Sequence, residues 1–152
     1  VYSGPSSKPK IEAELGATRR DLPGLLAMAD HVVVTAPLKA DTHHLIDAAS
    51  FRLMKATATL TNVARGPLVD TDALVDALAT GRIAAAGLDV TDPEPIRADH
   101  PLLKLPNCII VPHIGSASAK TRSDMAELAA RNVVNGLAGE RLEACANPAV
   151  YE

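Results

Sequence analysis

Aromatic residues are almost absent from this sequence. Its 152 residues include one Phe, two Tyr and no Trp, although 47% of the residues are hydrophobic. A core of this composition must be built from Ala, Val, Leu and Ile side chains, which suits helices packed closely on a parallel sheet. The length is sufficient for one domain with a well-formed core.

Long apolar runs, blocks of charge and cysteine motifs are also missing. The apolar runs reach only about five residues, whereas a helix needs about 20 to cross a bilayer. The formal net charge of −3 comes from interspersed acids and bases, which argues against nucleic-acid or membrane partners. Cys108 and Cys145 have neither metal-ligand nor redox-pair spacing. We therefore predict reduced thiols, no metal site and a cytoplasmic location.

Strand-like and helix-like segments alternate along the chain. Apolar runs of strand length begin at His31, Thr57, Ile83 and Cys108, with helix-like segments between them. The run from His31 to Pro37 is typical of a strand buried on both faces. Repeated strand–helix units predict βαβ crossovers. The sequence thus predicts an α/β fold, a partial Rossmann-type doubly wound parallel sheet with helices on both faces.

Three residues with catalytic potential follow predicted strands. Arg65 precedes a Gly at the end of one strand, Glu94 lies between two Pro residues after the next, and His113 directly follows the last. Strand ends at this edge of an open α/β sheet form binding sites. Each residue alone has a plainer interpretation: a surface Arg in a turn, a solvated loop acid or a structural His.

Taken together, the three side chains have complementary chemistry. The Arg65 guanidinium can clamp a carboxylate with two parallel hydrogen bonds. A carboxylate such as Glu94 beside an imidazole favours the protonated ring, which makes His113 a usable acid near neutral pH. This set suits the interconversion of a 2-oxo acid and a 2-hydroxy acid.

Three motifs carry a resemblance to a known family. Asn62-x-x-Arg65-Gly66, Gly87-Leu-Asp89-Val with Glu94-Pro95, and Pro112-His113-Ile-Gly115-Ser resemble, in order and spacing, the signature segments of D-isomer-specific 2-hydroxyacid dehydrogenases. Within that family, the segments around Asp89 and Pro101 look most like the glyoxylate/hydroxypyruvate reductases. The resemblance implies NAD(P)H-dependent reduction of such a 2-oxo acid to a D-2-hydroxy acid, and a homodimer.

The resemblance also implies roles for individual residues. Arg65 would orient the substrate carboxylate, His113 would be the general acid in reduction and the base in oxidation, and Glu94 would support His113. Besides Arg65 and His113, the residues implied to contact the nicotinamide side of the cofactor are Pro37, Thr42, Val63, Asp89 and Gly115. Asp89 could instead cap the turn that follows its strand.

The family's Gly-x-Gly-x-x-Gly phosphate loop does not occur in this chain. We therefore expect residues 1–137 to be the C-terminal part of a dinucleotide-binding domain whose first βαβ unit lies upstream. Residues 138–152 would be a tail returning toward a substrate domain outside this chain. On this view the 152 residues alone are inactive.

The start of the chain bears on cofactor choice. Members that prefer NAD carry an acid for the ribose hydroxyls after the second strand, whereas this chain has Ser3, Ser6 and Lys8 there. Hydroxyls and a cation predict a preference for NADPH, with NADH possible. Two other assignments stay open: a nucleotide-sensing scaffold like the C-terminal-binding-protein corepressors, and another 2-hydroxyacid dehydrogenase such as a phosphoglycerate dehydrogenase.

Overall fold

A computed structural model describes all 152 residues. Four parallel strands form one sheet in the order β1-β2-β3-β4. The strands are β1 (His31–Val34), β2 (Thr59–Asn62), β3 (Ala85–Leu88) and β4 (Cys108–Ile110). The helices are α1 (Pro9–Leu15), α2 (Leu22–Met28), α3 (Ala48–Leu53), α4 (Thr71–Ala79) and α5 (Ala119–Leu137). Short 3₁₀ turns cover Gly66–Leu68, Pro101–Lys104 and Pro148–Tyr151.

Aspartates begin three of these helices. The carboxylates of Asp21, Asp47 and Asp70 accept hydrogen bonds from backbone N–H groups in the first turns of α2, α3 and α4. Each bond satisfies a donor that has no partner within its helix. The sequence therefore fixes where each of these three helices begins.

One face of the sheet carries the core. Alternate strand residues are buried, and they pack with side chains from α2, α3 and α4, such as Leu26, Phe51 and Leu74. Within this helical layer α2 contacts α3, and α3 contacts α4. Parallel strands that follow one another in chain order have right-handed crossovers, which place their connections on the same face.

The predicted Rossmann-type parallel sheet with helices is confirmed. The expectation that the strand from His31 is buried on both faces is wrong, because Val33 is 58% exposed while Val32 and Val34 are buried. Ile109 of β4 is likewise 69% exposed. The strand order explains this exposure. The connections that join β1 to β2, β2 to β3 and β3 to β4 cover only one face of the sheet. In a doubly wound sheet the other face is covered by connections of the other half.

The chain forms two compact units, Val1–His113 and Ile114–Glu152. The first contains the sheet, α1 to α4 and an isolated parallel bridge between Tyr2 and Arg19. The second contains α5 and the tail, which are joined by hydrogen bonds such as that from Arg131 Nε to Glu143 (2.8 Å). The tail's expected return toward a substrate domain stays a prediction. None of the helices combines the length and the apolar character that crossing a membrane requires.

Candidate active site

The three predicted catalytic residues follow adjacent strands at the same edge of the sheet. The last residues of these strands are paired in register, Asn62 with Leu88 and Leu88 with Ile110. Arg65, Glu94 and His113 come after β2, β3 and β4 respectively. Because parallel strands share their carboxyl edge, the fold brings all three segments to the place where α/β proteins bind ligands.

His113 and Glu94 form a direct hydrogen bond. The His113 Nδ1 lies 2.6 Å from Glu94 Oε1, and both side chains are partly exposed to solvent. An ionised carboxylate can only accept, so this bond places the proton on Nδ1 and leaves Nε2 to exchange a proton with a ligand. The pair predicted from the sequence is thus assembled in the structure.

The backbone of His113 is held in an uncommon conformation. Its φ angle is +51°, in the left-handed region, where a non-glycine residue is strained by about 1–3 kcal/mol. The His113 N–H is shared between the carbonyl oxygens of Asp89 and Val111, both at 3.0 Å. These bonds link the end of β4 to the end of β3 and hold the backbone that carries the imidazole.

Arg65 is brought to the same edge but does not bond to the His113–Glu94 pair. Its Nη1 donates to the neighbouring Ala64 carbonyl (2.6 Å), and the guanidinium makes no ion pair. Arg65 is exposed to solvent. A cation without an acidic partner, at the same sheet edge as a His–Glu pair, suits the binding of a carboxylate ligand.

Asn62 shapes the turn that carries Arg65, a role that the sequence analysis did not assign. Its side chain is buried, and the residue is 1% exposed. The Asn62 Nδ2 donates to the Arg65 carbonyl (2.9 Å), and its Oδ1 accepts from the Ala64 N–H (3.1 Å). An amide residue at the end of a predicted strand was the available signal, because buried polar groups require hydrogen-bond partners.

The turn after β2 is packed against the turn after β3. Thr91 Oγ1 donates to the Pro93 carbonyl (2.9 Å), and Thr71 Oγ1 donates to the Asp92 carbonyl (3.2 Å). Gly66 is buried, and its Cα lies against the Thr91–Asp92 backbone without room for a side chain. The Arg65 turn and the Glu94 turn are therefore positioned by each other.

Four of the residues predicted on the nicotinamide side, Pro37, Thr42, Val63 and Asp89, come after strands β1 to β3 of the sheet. Val63 follows β2 and is 48% exposed, whereas Asp89 follows β3 and is 7% exposed. Thr42 Oγ1 donates to the Pro37 carbonyl (2.8 Å) and accepts from the Lys39 N–H (2.7 Å), so its hydroxyl closes the loop after β1. Gly115 belongs to the second compact unit. Their contacts with a cofactor stay predictions.

The loop that contains Ser3, Ser6 and Lys8 lies between Tyr2 and α1, outside the four-stranded sheet. Glu12 Oε1 accepts hydrogen bonds from the Tyr2 hydroxyl, from Ser7 Oγ (2.8 Å) and from the Lys8 N–H (3.2 Å). The bond from Tyr2, followed by that from Ser7, holds the pKa of Glu12 below its usual value. Sequence analysis missed this carboxylate, because its contact with the loop depends on how α1 is placed.

No group of three or more His, Cys, Asp or Glu side chains comes together in a way that could hold a metal ion. Burial raises the pKa of the Cys108 thiol. Both cysteines are free thiols.

Comparison with known proteins agrees with the motifs. The family model described as "D-isomer specific 2-hydroxyacid dehydrogenase, NAD binding domain" matches residues 1–115. The chain is 46% identical over 152 residues to glyoxylate/hydroxypyruvate reductase B of Pectobacterium atrosepticum, covering 100% of this chain and 48% of that protein. It is 48% identical over 140 residues to human glyoxylate reductase/hydroxypyruvate reductase, covering 92% of this chain and 43% of that protein.

A solved structure gives the same result. The crystal structure of the TT0316 protein from Thermus thermophilus superposes with a TM-score of 0.87 at 46% identity, over 93% of this chain and 44% of that one. The chain spans about half the length of the curated relatives that it matches. The matched motifs, the parallel sheet and this similarity place the chain in the D-isomer specific 2-hydroxyacid dehydrogenase family.

Proposed function

We propose that this chain is the C-terminal part of a reductase that converts a 2-oxo acid of the glyoxylate or hydroxypyruvate type into a D-2-hydroxy acid with NAD(P)H. The observation that carries the proposal is the 2.6 Å hydrogen bond between His113 and Glu94, at a sheet edge that also bears Arg65. The relatives named glyoxylate/hydroxypyruvate reductase support the choice of substrate.

Arg65 binds the carboxylate of the substrate. A guanidinium presents its N–H groups in a planar fork that matches two carboxylate oxygens. Since Arg65 forms no ion pair within the chain, an incoming carboxylate does not have to displace another acid. This contact also fixes the orientation of the adjacent carbonyl group.

His113 transfers the proton. A bound nicotinamide cofactor supplies the hydride that reduces the carbonyl carbon. His113 Nε2 gives its proton to the carbonyl oxygen, which becomes the hydroxyl, and takes it back in the reverse direction. Glu94 accepts the Nδ1 proton in a hydrogen bond throughout, and its negative charge stabilises the protonated imidazole.

The residues present fit the nicotinamide side of the cofactor better than its pyrophosphate. Val63 and Asp89 extend the same edge as His113, and the Asp89 carbonyl accepts from the His113 N–H (3.0 Å). Pro37, Thr42 and Gly115 complete the proposed set. The chain has no glycine-rich phosphate loop, which in dinucleotide-binding folds holds the pyrophosphate at a helix N-terminus. The chain of 152 residues alone should therefore not bind a dinucleotide tightly or turn over substrate. Calorimetric titration with NADPH would detect such binding.

The test of function is turnover by the full-length protein that contains this chain. Oxidation of NADPH and NADH is followed with glyoxylate, hydroxypyruvate and a phosphorylated 3-carbon 2-oxo acid. We expect turnover of the first two, and His113→Ala should lower kcat by about 10²- to 10⁴-fold while dinucleotide binding is retained.

Other outcomes would favour a different assignment. Tight cofactor binding without turnover would support a nucleotide-sensing scaffold, and a preference for the phosphorylated acid would support a phosphoglycerate dehydrogenase. A His113→Ala variant with near-normal kcat would remove His113 from the reaction. The homodimer and the cytoplasmic location stay predictions.

A further inference from the structure

The loop from Ser3 to Lys8 is held by the side chain of Arg19. Arg19 Nε and Nη2 both donate to the Gly4 carbonyl, at 3.1 and 2.8 Å, and Nη2 also approaches the Pro5 carbonyl (3.4 Å). Arg19 reaches this loop because its backbone pairs with Tyr2 in the parallel bridge. The guanidinium is thereby placed beside the segment between Ser3 and Ser6.

In this position the Arg19 guanidinium still has hydrogen-bond donors without partners. Its hydrogen bonds engage Nε and Nη2 but not Nη1, the side chain is exposed, and it belongs to none of the salt bridges in the chain. The hydroxyls of Ser3 and Ser6 and the amine of Lys8 make no hydrogen bonds within the chain either. These groups are donors that remain free to meet an anion.

The segment around the loop is basic, whereas the chain as a whole is acidic. Residues 1–20 hold four basic side chains and two acidic ones, Glu12 and Glu14, whereas the whole chain has a formal net charge of −3. Glu12 uses Oε1 for three donors of the loop and its neighbours. Glu12 therefore holds the loop in place, and its charge also attracts Arg19. The segment as a whole still carries more basic than acidic side chains.

We propose that Arg19 is a cofactor-specificity residue: its guanidinium pairs with the 2′-phosphate of NADPH, assisted by Ser3, Ser6 and Lys8, and so selects NADPH over NADH. This inference rests on the proposed function. A guanidinium binds phosphate oxygens through charge-assisted hydrogen bonds in a geometry that the Lys8 ammonium cannot reproduce. The loop alone, with one flexible cation, would discriminate weakly between the two cofactors.

The experiment measures binding of nucleotide fragments to the full-length protein, so that catalysis is not needed for the readout. Calorimetry compares 2′,5′-ADP, which carries the additional phosphate, with 5′-AMP. We expect Arg19→Gln to weaken 2′,5′-ADP binding by about tenfold or more and to leave 5′-AMP binding within about twofold. The KM for NADPH should rise in parallel, whereas the KM for NADH should not.

Arg20→Gln is the matched control. Arg20 carries the same charge and is also exposed. Its side chain makes no hydrogen bond to the loop, and only its backbone N–H bonds to the Tyr2 carbonyl (2.9 Å). A change common to both variants would reflect general charge, and equal weakening of both nucleotides in Arg19→Gln would mean that Arg19 only shapes the loop. Either result would overturn the proposal, as would competition by inorganic phosphate as strong as that by 2′,5′-ADP.

Measurements on the full-length protein separate the role of Arg19 from the reductase activity. Turnover of glyoxylate with NADH but not NADPH would overturn the role of Arg19 and leave the reductase function intact. Absence of both turnover and dinucleotide binding would overturn the function itself.

Discussion

Gly66 lies directly against the backbone of Thr91. A Cβ atom built on Gly66 would come within 1.9 Å of the Thr91 carbonyl oxygen and 2.7 Å of the Asp92 nitrogen. Both atoms belong to backbone, which cannot swing aside as a side chain can. The absence of a side chain at Gly66 is what allows the turn bearing Arg65 to contact the turn bearing Glu94.

Gly66→Ala should therefore separate the two turns. We expect a loss of stability of about 1–3 kcal/mol or more from overpacking, together with a lower kcat/KM for the 2-oxo acid in the full-length protein. Thermal unfolding followed by circular dichroism measures the first effect. Gly87→Ala is the control, because a Cβ there would meet only Thr61 Oγ1 at 4.0 Å. Equal thermal midpoints for the two variants would contradict the argument.

Asn62→Ala should disturb the position of Arg65. The substitution removes both side-chain hydrogen bonds to the 64–65 backbone. The Ala64 N–H loses its partner, whereas the Arg65 carbonyl keeps the Leu68 N–H (3.3 Å). The expected destabilisation is roughly 1–3 kcal/mol. Because Arg65 is assigned to carboxylate binding, KM for the 2-oxo acid should rise more than kcat falls. Steady-state kinetics would refute this role by showing an unchanged KM.

Much of this site could be predicted because strand ends are readable from sequence. The apolar runs locate β1 to β4, and the polar residues just after them must share an edge in a parallel sheet, which is how Arg65, Glu94 and His113 were found. The contacts of Gly66, Asn62 and Arg19 could not be predicted in the same way. They depend on which turns touch, and that is decided by packing between segments that are distant in sequence.

The burial of strand residues was predicted less well than the parallel pairing of the strands. The β-branched run from His31 to Val34 has the composition of a strand covered on both faces, yet Val33 is 58% exposed. The composition of a strand shows only which environment its side chains suit. Whether the second face of the sheet is covered depends on segments other than the connections between β1 and β4. The sequence of these strands cannot distinguish the two situations.

Glu94→Gln should impair proton transfer without unfolding the site. Glutamine keeps the size of the side chain and can still bond to His113 Nδ1, but it is uncharged and its amide no longer stabilises a protonated imidazole. We expect kcat to fall by about 10²-fold in the full-length protein, with little change in dinucleotide affinity. If Glu94→Gln retained normal kcat, the hydrogen bond to His113 would have only a structural role.

Cys108 should react slowly with alkylating reagents. Burial raises the pKa of its thiol, so less of the reactive thiolate is present at neutral pH than for a free thiol. Iodoacetamide labelling, followed by mass spectrometry, should be slower at Cys108 than in the same protein unfolded in urea, and should accelerate as the pH is raised. A rate equal to that of the unfolded chain would show that Cys108 is fully accessible.

Asp47 should make the stability of the α3 region depend on pH. Its carboxylate accepts from the Ser50 N–H (2.8 Å), and this bond lowers the pKa of Asp47 in the folded state. The folded chain therefore binds this proton less readily than the unfolded chain. The resulting stabilisation is fully present above the unfolded pKa of about 4 and is lost as the pH falls through the lower folded value.

Two substitutions distinguish the hydrogen bond that Asp47 makes as a helix cap from the effect of its charge. Asp47→Ala removes the cap and should cost about 0.5–2 kcal/mol near neutral pH. Asp47→Asn keeps an oxygen that caps about as well but does not titrate. Urea unfolding between about pH 6 and about pH 3 should show wild type losing stability relative to Asp47→Asn, because only the wild-type cap is protonated. Parallel pH profiles for the two proteins would mean that Asp47 has the same pKa in the folded and unfolded chains.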